Sequence, residues 1–160
     1  VECFKSLNLK NAKLLIAGSC NDENIRQYLE KEASTNPNIL LKIKFIPNKD
    51  FQLYLNSADI FVYPFIKVTT SSSVILVMSF NKPVIASRVG DISFFPKNTG
   101  YYYDISSNNN DLLNFMKFAV QNKNKIQQIG RNAYNYVKSN QWSENSLLTE
   151  SLYKNLASSV

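Results

Sequence analysis

Five short apolar runs set the pattern of this chain: AKLLIA at 12–17, LLKIKFI at 40–46, DIFVY at 59–63, PVIAS at 83–87 and GYYYD at 100–104. Most are near-continuous hydrophobic segments too short to be buried helices, and Gly18, Pro64 or Gly90 stands just beyond several of them. That is how strands buried on both faces of a parallel sheet read. Between them lie helix-length stretches. Asn21 and Asp22 can cap a helix over 23–33, in which Ile25, Tyr28, Leu29 and Ala33 share a face, and further helices are expected over 48–57 and 72–80. A helix end is expected over 1–8, with Phe4 and Leu7 on one side. Beyond a polar turn at 106–110, the stripes Leu112/Phe115/Met116/Ala119, Ile126/Ile129/Ala133/Val137 and Leu148/Leu152/Leu156 predict helices whose apolar faces enter the core. Strands alternating with helices specify an α/β, Rossmann-like doubly wound parallel sheet, here with C-terminal helices. At 160 residues this is a single domain, and it opens on a helix with no strand before it.

Composition narrows the chemistry. The chain has no histidine, which removes imidazole acid–base catalysis, serine–histidine triads and histidine-bound metals from what it does alone. Cys3 and Cys20 are too few for a disulfide framework or a zinc site, as in a reducing, cytoplasmic setting. Eighteen basic residues against twelve acidic give a net charge of +6, but no basic block or basic–aromatic motif points to nucleic acid. The excess suits anionic phosphates or peripheral association with the inner face of an anionic membrane. No apolar run is long enough to span a bilayer.

Ligands of open α/β sheets bind beyond the carboxyl ends of the strands. Three segments meet that condition: Gly18–Ser19, residues 64–73, and residues 87–90. The first, GSCNDE, lacks the glycine spacing of a dinucleotide fingerprint, and a tight turn explains Gly18 equally well. The second contains five consecutive hydroxyl residues, Thr69 to Ser73, leading into the helix expected over 72–80. A helix start offers unpaired N–H groups and the positive end of the dipole, so Thr70, Ser71, Ser72 and Ser73 suit a phosphate or diphosphate. The alternative is that Thr70 or Ser71 is an ordinary N-cap in a polar loop. These serines are not nucleophiles, because no histidine, lysine or carboxylate lies within the run to activate them. Arg88, just past a strand, is a further phosphate candidate, and Lys67 is better read as solvated.

The segments NAKLLIAG, FIPNKDFQLYLNSADIFVYPF and the run through KPVIAS together resemble the C-terminal domain of GT-B-fold retaining glycosyltransferases. That group centres on glycosyltransferase family four ("glycosyl transferases group 1") and includes relatives of sucrose and glycogen synthases. Ala58, Asp59, Pro64, Met78, Lys82, Pro83, Val84, Ala86 and Ser87 fall on its pattern without a gap. GDISFFPKNTGYYYD resembles its "GGIPE…GLLV" segment, and SNQWSENS the start of its last helix. The resemblance implies a nucleoside-diphosphate-sugar donor as substrate, with no metal or other cofactor. The diphosphate would rest on the helix beginning at Ser71–Ser73, with Gly18 near the donor and Ile46 and Pro47 near the base. The family's paired glutamates would fall on Val68 and Leu76, neither acidic, while TTSSSVIL resembles a T-S-G-S variant with Ser72 at the glycine. The resemblance further implies that the first strand, the diphosphate-gripping Arg/Lys pair and the N-terminal acceptor domain precede Val1. The chain alone would then be inactive. A transferase half acting on polysaccharide or glycolipid is the expectation; a non-catalytic nucleotide- or phosphate-binding module is the alternative. A response-regulator-like domain is disfavoured, because no aspartate cluster marks the strand ends.

Overall fold

The computed structural model describes residues 1–107 and 110–158. After a short helix α1 (Glu2–Ser6), strand β1 (Leu14–Gly18) leads through α2 (Glu23–Thr35) to β2 (Ile39–Ile43). Then come α3 (Asn48–Ser57), β3 (Phe61–Tyr63), α4 (Ser72–Ser79) and β4 (Val84–Ser87). A 3-10 turn (Gly90–Phe94), β5 (Gly100–Tyr103) and the helices α5 (Asn110–Gln121), α6 (Lys123–Ser139) and α7 (Trp142–Ala157) complete the order. The alternation expected from the apolar runs is therefore present, with bounds shifted by a few residues. The largest shift is at 44–46, which the sequence reads as strand and which lies beyond β2. Asp22 caps α2 as its position demands, its carboxylate accepting from the Ile25 amide at 3.1 Å. The expected turn at 106–110 includes residues 108 and 109, which lie outside the described residues.

All pairing is parallel, in two separate ladders. In one, β1 pairs with β2, Leu14 opposite Ile39 and Gly18 opposite Ile43. In the other, β4 lies between β3 and β5. The strand period of two divides the second ladder's side chains between two cores. Phe61, Tyr63, Val84, Ala86 and Tyr102 pack with Leu55 of α3, Val74, Val77 and Met78 of α4, and Ala133 of α6. Val62, Ile85, Tyr101 and Tyr103 face the opposite way, toward Leu112 and Phe115 of α5 and Cys3 of α1. Helices on both faces of a parallel sheet make this the doubly wound arrangement. Lys82 is placed by structure alone: its ammonium donates to the Ala58 carbonyl (2.7 Å) and the Asn56 carbonyl (3.2 Å), neutralising the carbonyl end of α3.

The expectation for the last stripe is overturned. Leu148, Leu152 and Leu156 do share a helix, but they are 70, 58 and 58% exposed, with Leu147 and Tyr153 also exposed beside them. Periodicity reports that a helix has an apolar side, not that anything covers it.

Candidate functional site at the start of α4

Strand β3 ends at Tyr63, and the chain crosses Pro64 to Ser71 before α4 begins. Ser87, at the end of β4, anchors this crossing through its hydroxyl, which donates to the Phe65 carbonyl at 2.5 Å. Val68 packs against the core, so the position where the resemblance places an acidic residue is occupied by an inward-facing methyl pair. Thr69 and Thr70 are exposed and Ser71 is buried. Ser71 is the N-cap residue of α4, yet its side chain caps nothing; its hydroxyl lies 3.0 Å from that of Ser73.

The cap comes from elsewhere. Asp91, in the turn after β4, accepts the Ser71 amide on Oδ2 at 3.1 Å and donates its own amide to the Thr69 carbonyl at 3.0 Å. Its second oxygen is buried without a partner. Gly90 makes this clasp possible. It has φ +56°, and a Cβ there would stand 2.2 Å from the Val68 carbonyl oxygen and 2.4 Å from that of Thr69. Sequence reasoning placed Gly90 just beyond a strand and missed Asp91. Its only signal was a Gly-Asp pair just past a strand end, twenty residues from the serine it serves.

With Asp91 on Ser71, the amides of Ser72, Ser73 and Val74 form the free first turn of α4 and donate to no acceptor among the described residues. The Ser72 and Ser73 side chains are exposed beside them. The Tyr63 hydroxyl donates to the Ser73 carbonyl at 3.4 Å, and burial raises its pKa above the ordinary phenol value. This assembly can receive an anion on backbone N–H groups and hydroxyls. The carboxylate already present makes it less positive than a bare helix start.

The other candidates are placed as follows. Gly18 ends β1 with φ +139° and open space around it. Ile46 is buried, and Pro47 is the N-cap residue of α3. No hydrogen bond among the described residues ties Gly18, Ile46 or Pro47 to the serines. Leu76 lies on α4 in a shallow groove of about 410 Å³ whose α3 side is formed by Asn48, Lys49, Phe51, Gln52 and Leu55, so this groove starts one residue from Pro47. Arg88 does not reach toward the serines: its guanidinium carbon is 5.9 Å from the Tyr102 ring centroid, a cation–π contact. No helix among the described residues is long and apolar enough to cross a membrane.

Comparison with known proteins agrees with this geometry. No curated protein sequence matches the chain. Among solved structures, sucrose-phosphate synthase from Thermosynechococcus elongatus superposes with a TM-score of 0.75 at 21% identity, over 99% of this chain and 42% of that one. HepE of Anabaena, in complex with UDP-glucose, superposes with a TM-score of 0.73 at 14% identity, over 91% of this chain and 42% of that one. Its complex with UDP and glucose gives 0.72 at 13% identity, over 95 and 43%. The chain thus spans less than half the length of these proteins, and the fold it shares with them is a Rossmann-like half of the GT-B architecture. Residues 1–116, well over half the chain, match the family described as Glycosyl transferases group 1, and the chain belongs to that family.

Proposed function

We propose that this chain is the donor-binding half of a glycosyltransferase that takes a sugar from a nucleoside-diphosphate-sugar. The observation carrying this reading is the free first turn of α4, with the amides of Ser72, Ser73 and Val74 and two exposed hydroxyls beyond the carboxyl end of β3, in a chain of this family. Those groups receive the diphosphate, Thr70 and Ser71 shape the loop that presents them, and Gly18 leaves room for the donor near the end of β1. Ile46 and Pro47 lead into the groove beside Leu76, where the nucleoside would lie. Catalysis in this reading is electrostatic. The leaving diphosphate gains negative charge as the glycosidic bond breaks, and fixed N–H dipoles stabilise it without reorganising. No metal or further cofactor is assigned. The acceptor belongs to a separate N-terminal domain of a longer polypeptide, and residues 1–160 alone are expected to bind donor without turning it over. UDP, the ligand in the HepE complexes, is the first nucleotide to test. The net charge of +6 suits an acceptor such as a glycolipid or polysaccharide precursor at the cytoplasmic face of a membrane.

A second reading has its own observation. Val68 is turned into the core and Leu76 lines an apolar groove, so neither supplies the carboxylate expected of an active relative. A binding module that has lost its chemistry would look the same. Titration with UDP, GDP and ADP, followed by amide NMR, tests the donor site: signals of Ser72, Ser73 and Val74 should shift, and Ser72→Asp should abolish the response by charge repulsion. Binding with no sugar transfer by the full-length protein favours the module. Absence of binding by the full-length protein overturns both.

A further inference from the structure

Leu76 follows Ser72 by four residues and Ser73 by three, so it lies one turn along α4 on the side of the two exposed hydroxyls. A turn rises about 5.4 Å, and a helical side chain leans back toward its own N-terminus. The Leu76 side chain therefore stands directly beyond the free amides, and at 41% exposed it is within reach of a ligand held there. Across the groove, α3 supplies the half-exposed ring of Phe51 and the buried Leu55, together with Asn48 and Gln52, which are four residues apart on one face. Lys49 is the one charged residue among the described residues lining it.

These walls suit a base and a phosphate better than a sugar diol. Amide side chains donate and accept along a base edge, and an exposed aromatic ring stacks on a base face. The Lys49 ammonium donates and accepts nothing. A ribose presents two adjacent hydroxyls, and Rossmann sites for ribonucleotides receive the 2′-hydroxyl on an Asp or Glu. Here the carboxylate at the head of α4 is committed elsewhere, one oxygen of Asp91 holding the Ser71 amide and the other being buried. The wall nearest the free amides is the isobutyl group of Leu76.

We propose that the donor is a 2′-deoxynucleoside-diphosphate-sugar, with the C2′ methylene of its nucleoside lying against Leu76. The proposal rests on the donor reading above. A diphosphate on the first-turn amides fixes the 5′ end of the nucleoside, and one methylene joins that end to the furanose, which therefore falls about one turn along α4. A 2′-hydroxyl placed there gives up water to a leucine and finds no acceptor, whereas a methylene gains apolar contact. A closed apolar pocket rejects an added hydroxyl by about a hundredfold. This groove is shallow and Leu76 is half open to water, so the preference expected is on the order of threefold to tenfold.

The test is calorimetric titration of the full-length protein with two pairs of nucleotides, UDP with dUDP and GDP with dGDP, the members of each pair differing only at C2′. In whichever pair binds, the deoxy form should bind about threefold to tenfold more tightly. Leu76→Glu should reverse that order, because a carboxylate at this point accepts from the 2′-hydroxyl. Leu76 is exposed and stands outside the buried cluster of α4, so the substitution leaves the core intact, which an unchanged Tm checks. The ratio within a pair is what is read, so repulsion between the new carboxylate and the diphosphate cancels. Equal affinity within a pair that binds, or tighter binding of the ribo form, overturns the deoxynucleoside assignment and leaves the donor reading standing. A deoxy preference that survives Leu76→Glu also overturns it, since the selection then lies elsewhere. Binding of none of the four overturns the donor reading and this proposal with it.

Discussion

Replacing Gly90 with alanine attacks the clasp at the head of α4 at its tightest point. A non-glycine residue at φ +56° is strained by about 1–2 kcal/mol. The added methyl also meets two carbonyl oxygens at 2.2 and 2.4 Å, roughly 1 Å inside ordinary contact, so residues 68–69 must move away. They cannot move without loosening the Asp91–Thr69 bond, which contributes about 0.5–1.5 kcal/mol, and the charge-assisted Ser71–Asp91 bond, about 1.5–3 kcal/mol. Partial loss of both with the strain gives about 3 kcal/mol, or a fall of about 6–12 °C in Tm for a domain of this size. Gly18→Ala is the internal control: it too has positive φ, but its methyl would meet nothing within 4 Å, so it carries backbone strain without collision. Urea denaturation of the full-length forms of both variants isolates the contribution of the clasp. The reasoning fails if Gly90→Ala is no less stable than Gly18→Ala. It fails too if nucleoside diphosphate binds Gly90→Ala as tightly as the parent, since displacing residues 68–71 also displaces the N–H groups behind them.

Asp91→Asn keeps an acceptor for the Ser71 amide and should lose less than about 1 kcal/mol in a denaturant titration, whereas Asp91→Ala, with no cap, should lose about 1–2. Because the charge opposes an incoming phosphate, Asp91→Asn should also lower the Kd for UDP, and a raised Kd in calorimetry would show that the carboxylate helps rather than hinders. Tyr102 supplies a pH signature. Burial raises its pKa to about 12, the 2.8 Å contact with Thr99 acting in the opposite sense. The unfolded chain ionises near 10, so stability from this group is whole below pH 10 and lost as pH rises toward 12. Denaturation midpoints measured between pH 9 and 11.5 should fall less steeply in Tyr102→Phe; equal slopes would sink that assignment. Lys82→Met should destabilise by about 1–2 kcal/mol through the unpaired carbonyls at the end of α3 and leave UDP binding unchanged, measurable by the same two methods.

What the sequence made legible was local. AKLLIAG and PVIAS announce strands because hydrophobic runs of that length have few other uses, and Asp22 announces a helix because an Asx residue beside an amphipathic stretch caps it. The hydroxyl run drew attention to the start of α4 for the same reason: unpaired amides there follow from chain geometry alone. What stayed hidden is carried by contacts distant in the chain. Asp91 takes the capping role assigned to Thr70 or Ser71 because a turn twenty residues away folds back onto it, and nothing in TTSSS encodes that return. The apolar stripe of α7 was visible, but a stripe has no address.

The separation of the β1–β2 ladder from the β3–β4–β5 ladder also bears on how the isolated chain behaves in solution. Two strand edges with unused backbone groups, one beside half-exposed leucines, are templates for pairing between molecules. What keeps such molecules apart is their shared charge of +6, a repulsion that acts over about 10 Å at 0.1 M salt and about 3 Å at 1 M. Residues 1–160 should therefore be most soluble at low ionic strength, with sodium chloride acting as a precipitant long before it disturbs the fold.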